Sequence, residues 1–234
     1  MKLSIIICAR NERRTILQAI QQAHEVDLGP GWEKEVIVVD NCSTDGTREM
    51  LQTVDLPDVH VILHPRDRGK SASMLTGIWH ASGEYCVIFD ADLEYEAADI
   101  PRLTAKIVPD NTVAVFGSRT LGGRKIYKYA QNYWGVRLLT LLANLLFGGQ
   151  LTDIAVGTKL VHVDVARSLN LSDTDFDLDY ELPLKLLKRG FKIEEVAIAY
   201  HPRSAQEGKG IVGRKALETG LRWLWIILKT RFRG

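Results

Sequence analysis

Residues 85–94 read Tyr-Cys-Val-Ile-Phe-Asp-Ala-Asp-Leu-Glu, an uninterrupted run of strand-forming side chains that ends abruptly in acid. A run with no polar alternation fits a strand buried on both faces, as in a parallel sheet covered by helices on each side. The same pattern recurs toward the N-terminus in Leu3–Cys8, Val36–Val39 and His60–Leu63. Helix-periodic segments separate these strands. Ile16, Ala19, Ile20 and Ala23 fall on one face of the first, and Met74, Leu75 and Ile78 point inward from the one over Gly69–Ala81. The order βαβαβαβ predicts an α/β chain with an open, mostly parallel sheet and helices on both faces.

Downstream the pattern loosens. Val113–Phe116 reads as a further strand and Tyr133–Phe147 as an amphipathic helix. Another helix follows Asp177, Asp179 and Glu181 and closes at Arg189-Gly190, where glycine suits a C-terminal cap. Ile193–Tyr200 reads as the last strand. No repeat, low-complexity segment or linker appears, which favours one domain over 1–208 followed by a basic segment over 209–234.

Composition excludes several function classes. The 234 residues are 46% hydrophobic and 25% charged with a net charge of +1, so no basic excess points to nucleic acid. Cys8, Cys42 and Cys86 have no paired spacing, which argues for a reducing compartment. Met1 leads directly into a strand pattern, so no signal peptide is expected, and no apolar run is long enough to span a bilayer. The six histidines include no HExxH, and on an extended strand His60 and His64 would stand roughly 13 Å apart, too far to share one ion. The absence of GxSxG and of GxGxxG after the first strand removes support for a hydrolase triad and a dinucleotide oxidoreductase.

In an open α/β sheet, ligands bind beyond the carboxyl ends of the strands. Those ends carry Ala9-Arg10-Asn11-Glu12, Asp40 and Asp90-Ala91-Asp92. At a strand end, residues i and i+2 point the same way, so Asp90 and Asp92 converge, and Glu94 continues the spacing. Paired carboxylates suit Mg²⁺ or Mn²⁺, which commonly bind one or two of them together with substrate phosphates; the competing reading is a solvated turn. Asp40 can accept from a nucleobase ring N–H or a ribose hydroxyl, whereas Ser43, Thr44 and Asp45 fit an Asx-type turn. Lys70 opens the third helix, where an anion or merely solvent would sit.

The runs IIICARNERRTI (5–16), VVDNCSTDGT (38–47) and RGKSASMLTGIWHASGEYCVIFDADLEY (68–95) resemble glycosyltransferase family 2 of the GT-A fold. The likeness is closest to dolichol-phosphate mannose synthase-like and other polyprenyl-phosphate glycosyltransferases. It continues through FGSR (116–119), NYWGVRLLTLLANLLFGGQLTD (132–153), DLDYEL (177–182) and IEEVAIAYHPRSAQEGKGI (193–211). The resemblance implies a nucleotide-binding half over 1–100 and an acceptor half over 101–208. It implies that Ala9, Arg10, Asn11, Glu12 and Asp40 hold the nucleotide and that Asp90, Asp92 and Glu94 hold the divalent ion. It also implies that Arg119, Arg124 and Arg203 face the sugar diphosphate or an acceptor phosphate, with inversion at the anomeric carbon. CARNE replaces a segment where proline and an aromatic are common, which leaves the UDP- or GDP-sugar donor and the acceptor open.

A hydroxyl acceptor would need a general base, with Asp153, Asp179 and Glu181 as candidates. A lipid monophosphate is already largely ionised at neutral pH and would need arginines instead. For Asp179 and Glu181 the competing reading is stabilising charge at a helix N-terminus. Residues 209–234 carry seven Lys or Arg against Glu218 alone and enclose WLWIIL (223–228). Such a segment suits the cytosolic surface of a membrane; the alternatives are a helix packed on the domain or on a second copy of the chain. A sugar nucleotidyltransferase is disfavoured because CARNE lacks a Gly-rich loop. A binding module that does not turn over is disfavoured by the intact Asp90-Ala91-Asp92.

Overall fold

A computed structural model of the chain describes residues 1–121, 130–174, 177–203 and 213–233. Seven strands form one sheet: β1 (Lys2–Ala9), β2 (Glu33–Asp40), β3 (Val59–Leu63), β4 (Tyr85–Asp90), β5 (Ala114–Ser118), β6 (Lys159–His162) and β7 (Ile193–Ala197). Their order is β3-β2-β1-β4-β6-β5-β7. The helices are α1 (Ile16–Glu25), α2 (Thr47–Leu51), α3 (Lys70–His80), α4 (Ile100–Thr104), α5 (Ala130–Phe147), α6 (Val163–Ser168), α7 (Leu178–Lys188) and α8 (Gly213–Arg233).

The uniformly apolar strands are buried on both faces as their composition requires. Leu3, Ile5, Ile6, Ile7, Val36–Val39 and Cys86–Phe89 lie in one core between the helical layers. The chain runs outward from β1 through β2 to β3, then returns to place β4 on the other side of β1. The register pairs Ala9 with Asp40 and Cys8 with Asp90, so three strand ends finish flush at the point where strand order reverses.

Three elements lie outside the sequence expectation: the short helix α4, β6 and α6. β6 runs antiparallel between β4 and β5, and α6 follows it without a break. A four-residue strand carrying Lys159 and His162, followed by a helix with no side-chain cap, gives no periodic signal. Tertiary pairing makes this strand, not its own pattern. A second core joins α5, α7 and α8 through Leu139, Ala143, Leu184, Ile226 and Ile227, with the Tyr180 ring stacked on Trp223 at 4.5 Å. The α8 helix therefore packs one face on the domain.

Candidate active site

At the end of β1, Ala9 is buried and Arg10 makes an exposed ion pair with Asp67. Asn11 adopts a left-handed conformation (φ 56°), which a short polar side chain tolerates. Its N–H donates to Ser43 Oγ at 2.9 Å and its Oδ1 accepts from the Thr44 N–H at 2.9 Å, tying the β1 loop to the β2 loop. Asp40 ends β2 fully buried. The Ser43 N–H lies 3.3 Å from both its oxygens, and Arg48 Nη1 is 3.4 Å from Oδ2.

The acids after β4 are drawn into two clusters. Asp90 Oδ1 is 2.9 Å from Lys70 Nζ, which also lies 3.4 Å from Asp179 Oδ2 in the first turn of α7. Asp179 Oδ1 is 3.5 Å from the ammonium of Lys159, a fully buried lysine on β6 that also donates to the Val156 carbonyl. Charges thus alternate along Asp90, Lys70, Asp179 and Lys159. Burial opposes the charged form of Lys70, but Asp179 and Asp90 overcome it and hold the ammonium well above its ordinary pKa. Burial likewise opposes ionised Asp179, and Lys70 and Lys159 overcome it, so its carboxyl titrates below its usual range.

The second cluster centres on Arg203. Its Nη2 donates to Asp92 Oδ2 at 2.9 Å, and its Nη1 lies 3.3 Å from Glu12 Oε2. Glu94 accepts from the Arg203 backbone N–H and the Tyr200 hydroxyl, each at 2.8 Å. Both Glu94 oxygens are thus directed at the segment after β7. Burial and then the Asp90 charge push the Asp92 carboxyl up to about 6 against the pull of Arg203. Ala91, between the two aspartates, is buried.

Arg119 follows β5 and grips Asp153 with Nε to Oδ2 at 2.6 Å and Nη2 to Oδ1 at 2.7 Å, and its backbone N–H adds a third bond at 3.1 Å. The guanidinium also lies over the Tyr200 ring. Burial disfavours ionised Asp153, but Arg119 outweighs it and holds the carboxyl below its ordinary range. Glu181 is bonded elsewhere, to the Ser172 N–H at 2.8 Å and Lys185 at 3.1 Å. Arg124 lies outside the described residues.

The fold therefore brings Glu12, Asp90, Asp92, Glu94, Lys70, Asp179 and Arg203 to one edge, while Glu181 serves the loop before α7. Sequence reasoning missed Lys159, Gly157, Tyr95 and Tyr200. Gly157 donates its N–H to the Tyr95 hydroxyl at 3.0 Å, and a Cβ there would stand 2.5 Å from Asp90 Oδ2. The available signals were a cation in the otherwise apolar KLV run and a glycine two residues before it.

Comparison with known proteins agrees with this architecture. The model of the family Glycosyl transferase family 2 matches residues 4–169. The dolichol-phosphate mannosyltransferase of Pyrococcus furiosus is 27% identical over 237 residues, covering 98% of this chain and 64% of that protein. The undecaprenyl-phosphate mannosyltransferase of Micrococcus luteus is 27% identical over 214 residues, covering 85% of this chain and 87% of that one. Among solved structures, glucosyl-3-phosphoglycerate synthase from Mycobacterium tuberculosis, in complex with Mn²⁺, uridine diphosphate and phosphoglyceric acid, gives a TM-score of 0.73 at 18% identity. The match covers 100% of this chain and 79% of that one, and it shows a shared fold. The chain belongs to glycosyltransferase family 2, with the GT-A fold that its sequence resemblance implied, and is a glycosyltransferase.

Proposed function

We propose that this glycosyltransferase moves a sugar, with inversion, from a UDP- or GDP-sugar to a polyprenyl-type lipid monophosphate at the cytosolic face of a membrane. The observation that carries the lipid acceptor is an apolar surface. Nine of the fifteen large hydrophobic side chains exposed among the described residues lie on α5 and α8. Trp134, Leu138, Leu141 and Leu145 form one helical stripe, and Leu217, Leu221, Trp225, Leu228 and Phe232 form the other. Trp134 is 68% exposed and Leu145 74%. Lys229, Arg231 and Arg233 stand exposed on the same end of α8, as suits an anionic headgroup layer. No helix among the described residues is long and apolar enough to cross a membrane. In this reading 1–208 is the catalytic domain and 209–234 its membrane-facing segment.

Both helices are wired to the acidic edge. Arg137 of α5 donates to the Thr152 carbonyl beside Asp153, and Arg222 of α8 donates to Asp177, two residues before Asp179. The state of the acids also favours a phosphate nucleophile. Asp153 spends both oxygens on Arg119, Asp179 lies between two lysines, and these cations outweigh burial to keep the carboxyls ionised and weakly basic. An acceptor phosphate needs no base. In this reading Asp153 and Asp179 are positioning residues, Arg119 lends positive charge while its fork holds Asp153, and Arg203 supplies forked donors for phosphate oxygens. Arg124 and Lys70 add positive charge, Asp40 serves the base or ribose, and Ala9–Glu12 frame the nucleotide.

The residues present suit a divalent ion held jointly with phosphate. Among the described residues no three His, Cys, Asp or Glu side chains gather closely enough to chelate a metal unaided. Asp90 and Asp92 supply the one or two carboxylates that Mg²⁺ or Mn²⁺ takes beside phosphates, and bare Gly157 leaves space against Asp90. Such an ion would neutralise charge developing on the departing diphosphate. The test is transfer of labelled sugar in vesicles containing a short polyprenyl phosphate. Label in the organic-extractable fraction is the expected result; label only in water-soluble product would move the acceptor to a soluble molecule.

A further inference from the structure

The acidic edge carries a cation of its own. The Arg203 guanidinium stands among three carboxylates, 2.9 Å from Asp92, 3.3 Å from Glu12 and 3.9 Å from Glu94. Its backbone is fixed separately, because the Arg203 N–H donates to Glu94 and the neighbouring Tyr200 hydroxyl donates to the other Glu94 oxygen. Its side chain is less well satisfied. Nε is buried and has no hydrogen-bond partner among the described residues, and the bonds to Glu12 are long. A guanidinium presents donors in a fixed fork; here attraction to several carboxylates holds it without a two-point match to any one of them.

Lys70 offers the contrast. It also touches one of the paired aspartates, Asp90, but it simultaneously holds Asp179, which lies outside the pair. If Asp90 were engaged elsewhere, Lys70 would keep a carboxylate partner. Arg203, deprived of Asp92, would keep only longer charged contacts among the described residues, Glu12 at 3.3 Å and Glu94 at 3.9 Å.

We propose that Arg203 is an intramolecular counter-ion that competes with a divalent cation for Asp92, so that the site accepts the cation together with a nucleoside diphosphate and poorly without one. The inference rests on the preceding reading of Asp90 and Asp92 as the metal carboxylates. Its physical basis is the exchange of partners available to Arg203. Without a diphosphate, a cation approaching Asp92 meets a fixed positive charge and costs a part-buried guanidinium its shortest ion pair. With a diphosphate bound, the fork gains an anion whose geometry it matches, and leaving Asp92 costs little. Positive coupling between cation and nucleotide then follows from one side chain.

The test measures Mn²⁺ binding to the full chain by electron paramagnetic resonance, without nucleotide and with UDP or GDP, and requires no turnover. Wild type should bind Mn²⁺ weakly alone and about tenfold or more tighter with the diphosphate, a coupling of ordinary size for linked sites. Arg203→Gln removes the competitor and should bind Mn²⁺ alone about tenfold tighter than wild type while losing most of the nucleotide-dependent gain. Arg203→Lys, which keeps the charge and the packed stem, should restore weak binding of Mn²⁺ alone. Equal or weaker binding of Mn²⁺ alone by Arg203→Gln, with nucleotide-dependent binding intact, would overturn the counter-ion role and leave the metal reading standing. No Mn²⁺ binding by wild type even with UDP or GDP would overturn both.

Discussion

Asp153 and Asp92 each face an arginine, but the two pairs are built for different ends. Asp153 is fully buried and gives both oxygens to one guanidinium in a two-point match, with a backbone N–H added. Asp92 remains partly exposed and shares Arg203 with Glu12 and Glu94. The first arrangement saturates a carboxylate and fixes the loop that carries it against the end of β5. The second keeps a carboxylate ionisable and its cation transferable. The difference is one of satisfied valence, and it separates a positioning pair from a ligand site more sharply than residue type does.

Substitution can break this contrast. Asp92→Asn should lower turnover by about a thousandfold, the scale of losing metal stabilisation of a leaving group, with the thermal midpoint nearly unchanged. Asp153→Asn should do the reverse first, costing about 3–5 kcal/mol in denaturant unfolding because the buried Arg119 loses the carboxylate it grips. Gly157→Ala tests whether the open aspartates need their space. Its Cβ would press on Asp90 Oδ2 and the Tyr95 ring, and a displacement of that size should cost about a hundredfold in kcat. Retention of full activity would show that Asp90 has room to spare.

Two smaller effects lie away from the edge. Leu138→Ser with Leu221→Ser should reduce co-sedimentation with anionic vesicles about tenfold while leaving stability within a fraction of a kcal/mol, since both side chains are already exposed. Unchanged co-sedimentation with a concentration-dependent mass in solution would assign the stripes to a second copy of the chain. Glu35 is a purely structural acid. It lies on β2 opposite Ser4 of β1, and accepts from Ser4 and from the Ser82 N–H and hydroxyl. Burial raises its pKa, but these donors outweigh burial and bring it down to about 2. A lowered carboxyl pKa stabilises the fold above the ordinary carboxylate range, and that stabilisation is lost as pH falls toward 2. Glu35→Gln should therefore cost about 1 kcal/mol at neutral pH, with the difference from wild type shrinking below about pH 4.

Much of the donor edge is legible in the chain because parallel strands declare themselves. Runs such as Ile5–Ile7 and Val87–Phe89 have no other home than a sheet covered on both faces, and the acids that follow them must emerge at one edge. The same logic fails at β6. Lys159 looks like a surface residue by composition, and the approach of Asp179 from α7 together with the Val156 carbonyl makes its burial tolerable. The pairing of Asp153 with Arg119 and of Asp92 with Arg203 is equally invisible, because it joins residues from separate strands and loops. The tail posed a choice between a packed and a membrane-facing helix. The structure packs one face of α8 through Ile226 and Ile227 and leaves Leu221, Trp225 and Phe232 exposed, a division the unbroken apolar run WLWIIL (223–228) concealed.

The measurement that bears most directly on this account is nucleoside diphosphate release from a panel of UDP- and GDP-sugars with Mn²⁺, with and without a short polyprenyl phosphate. Release that requires both the metal and the lipid phosphate is the predicted result, and the active donor would name the base and the sugar. Metal-dependent release that ignores the lipid phosphate would contradict the proposed acceptor, and equal release in the presence of a chelator would contradict the role given to Asp90 and Asp92.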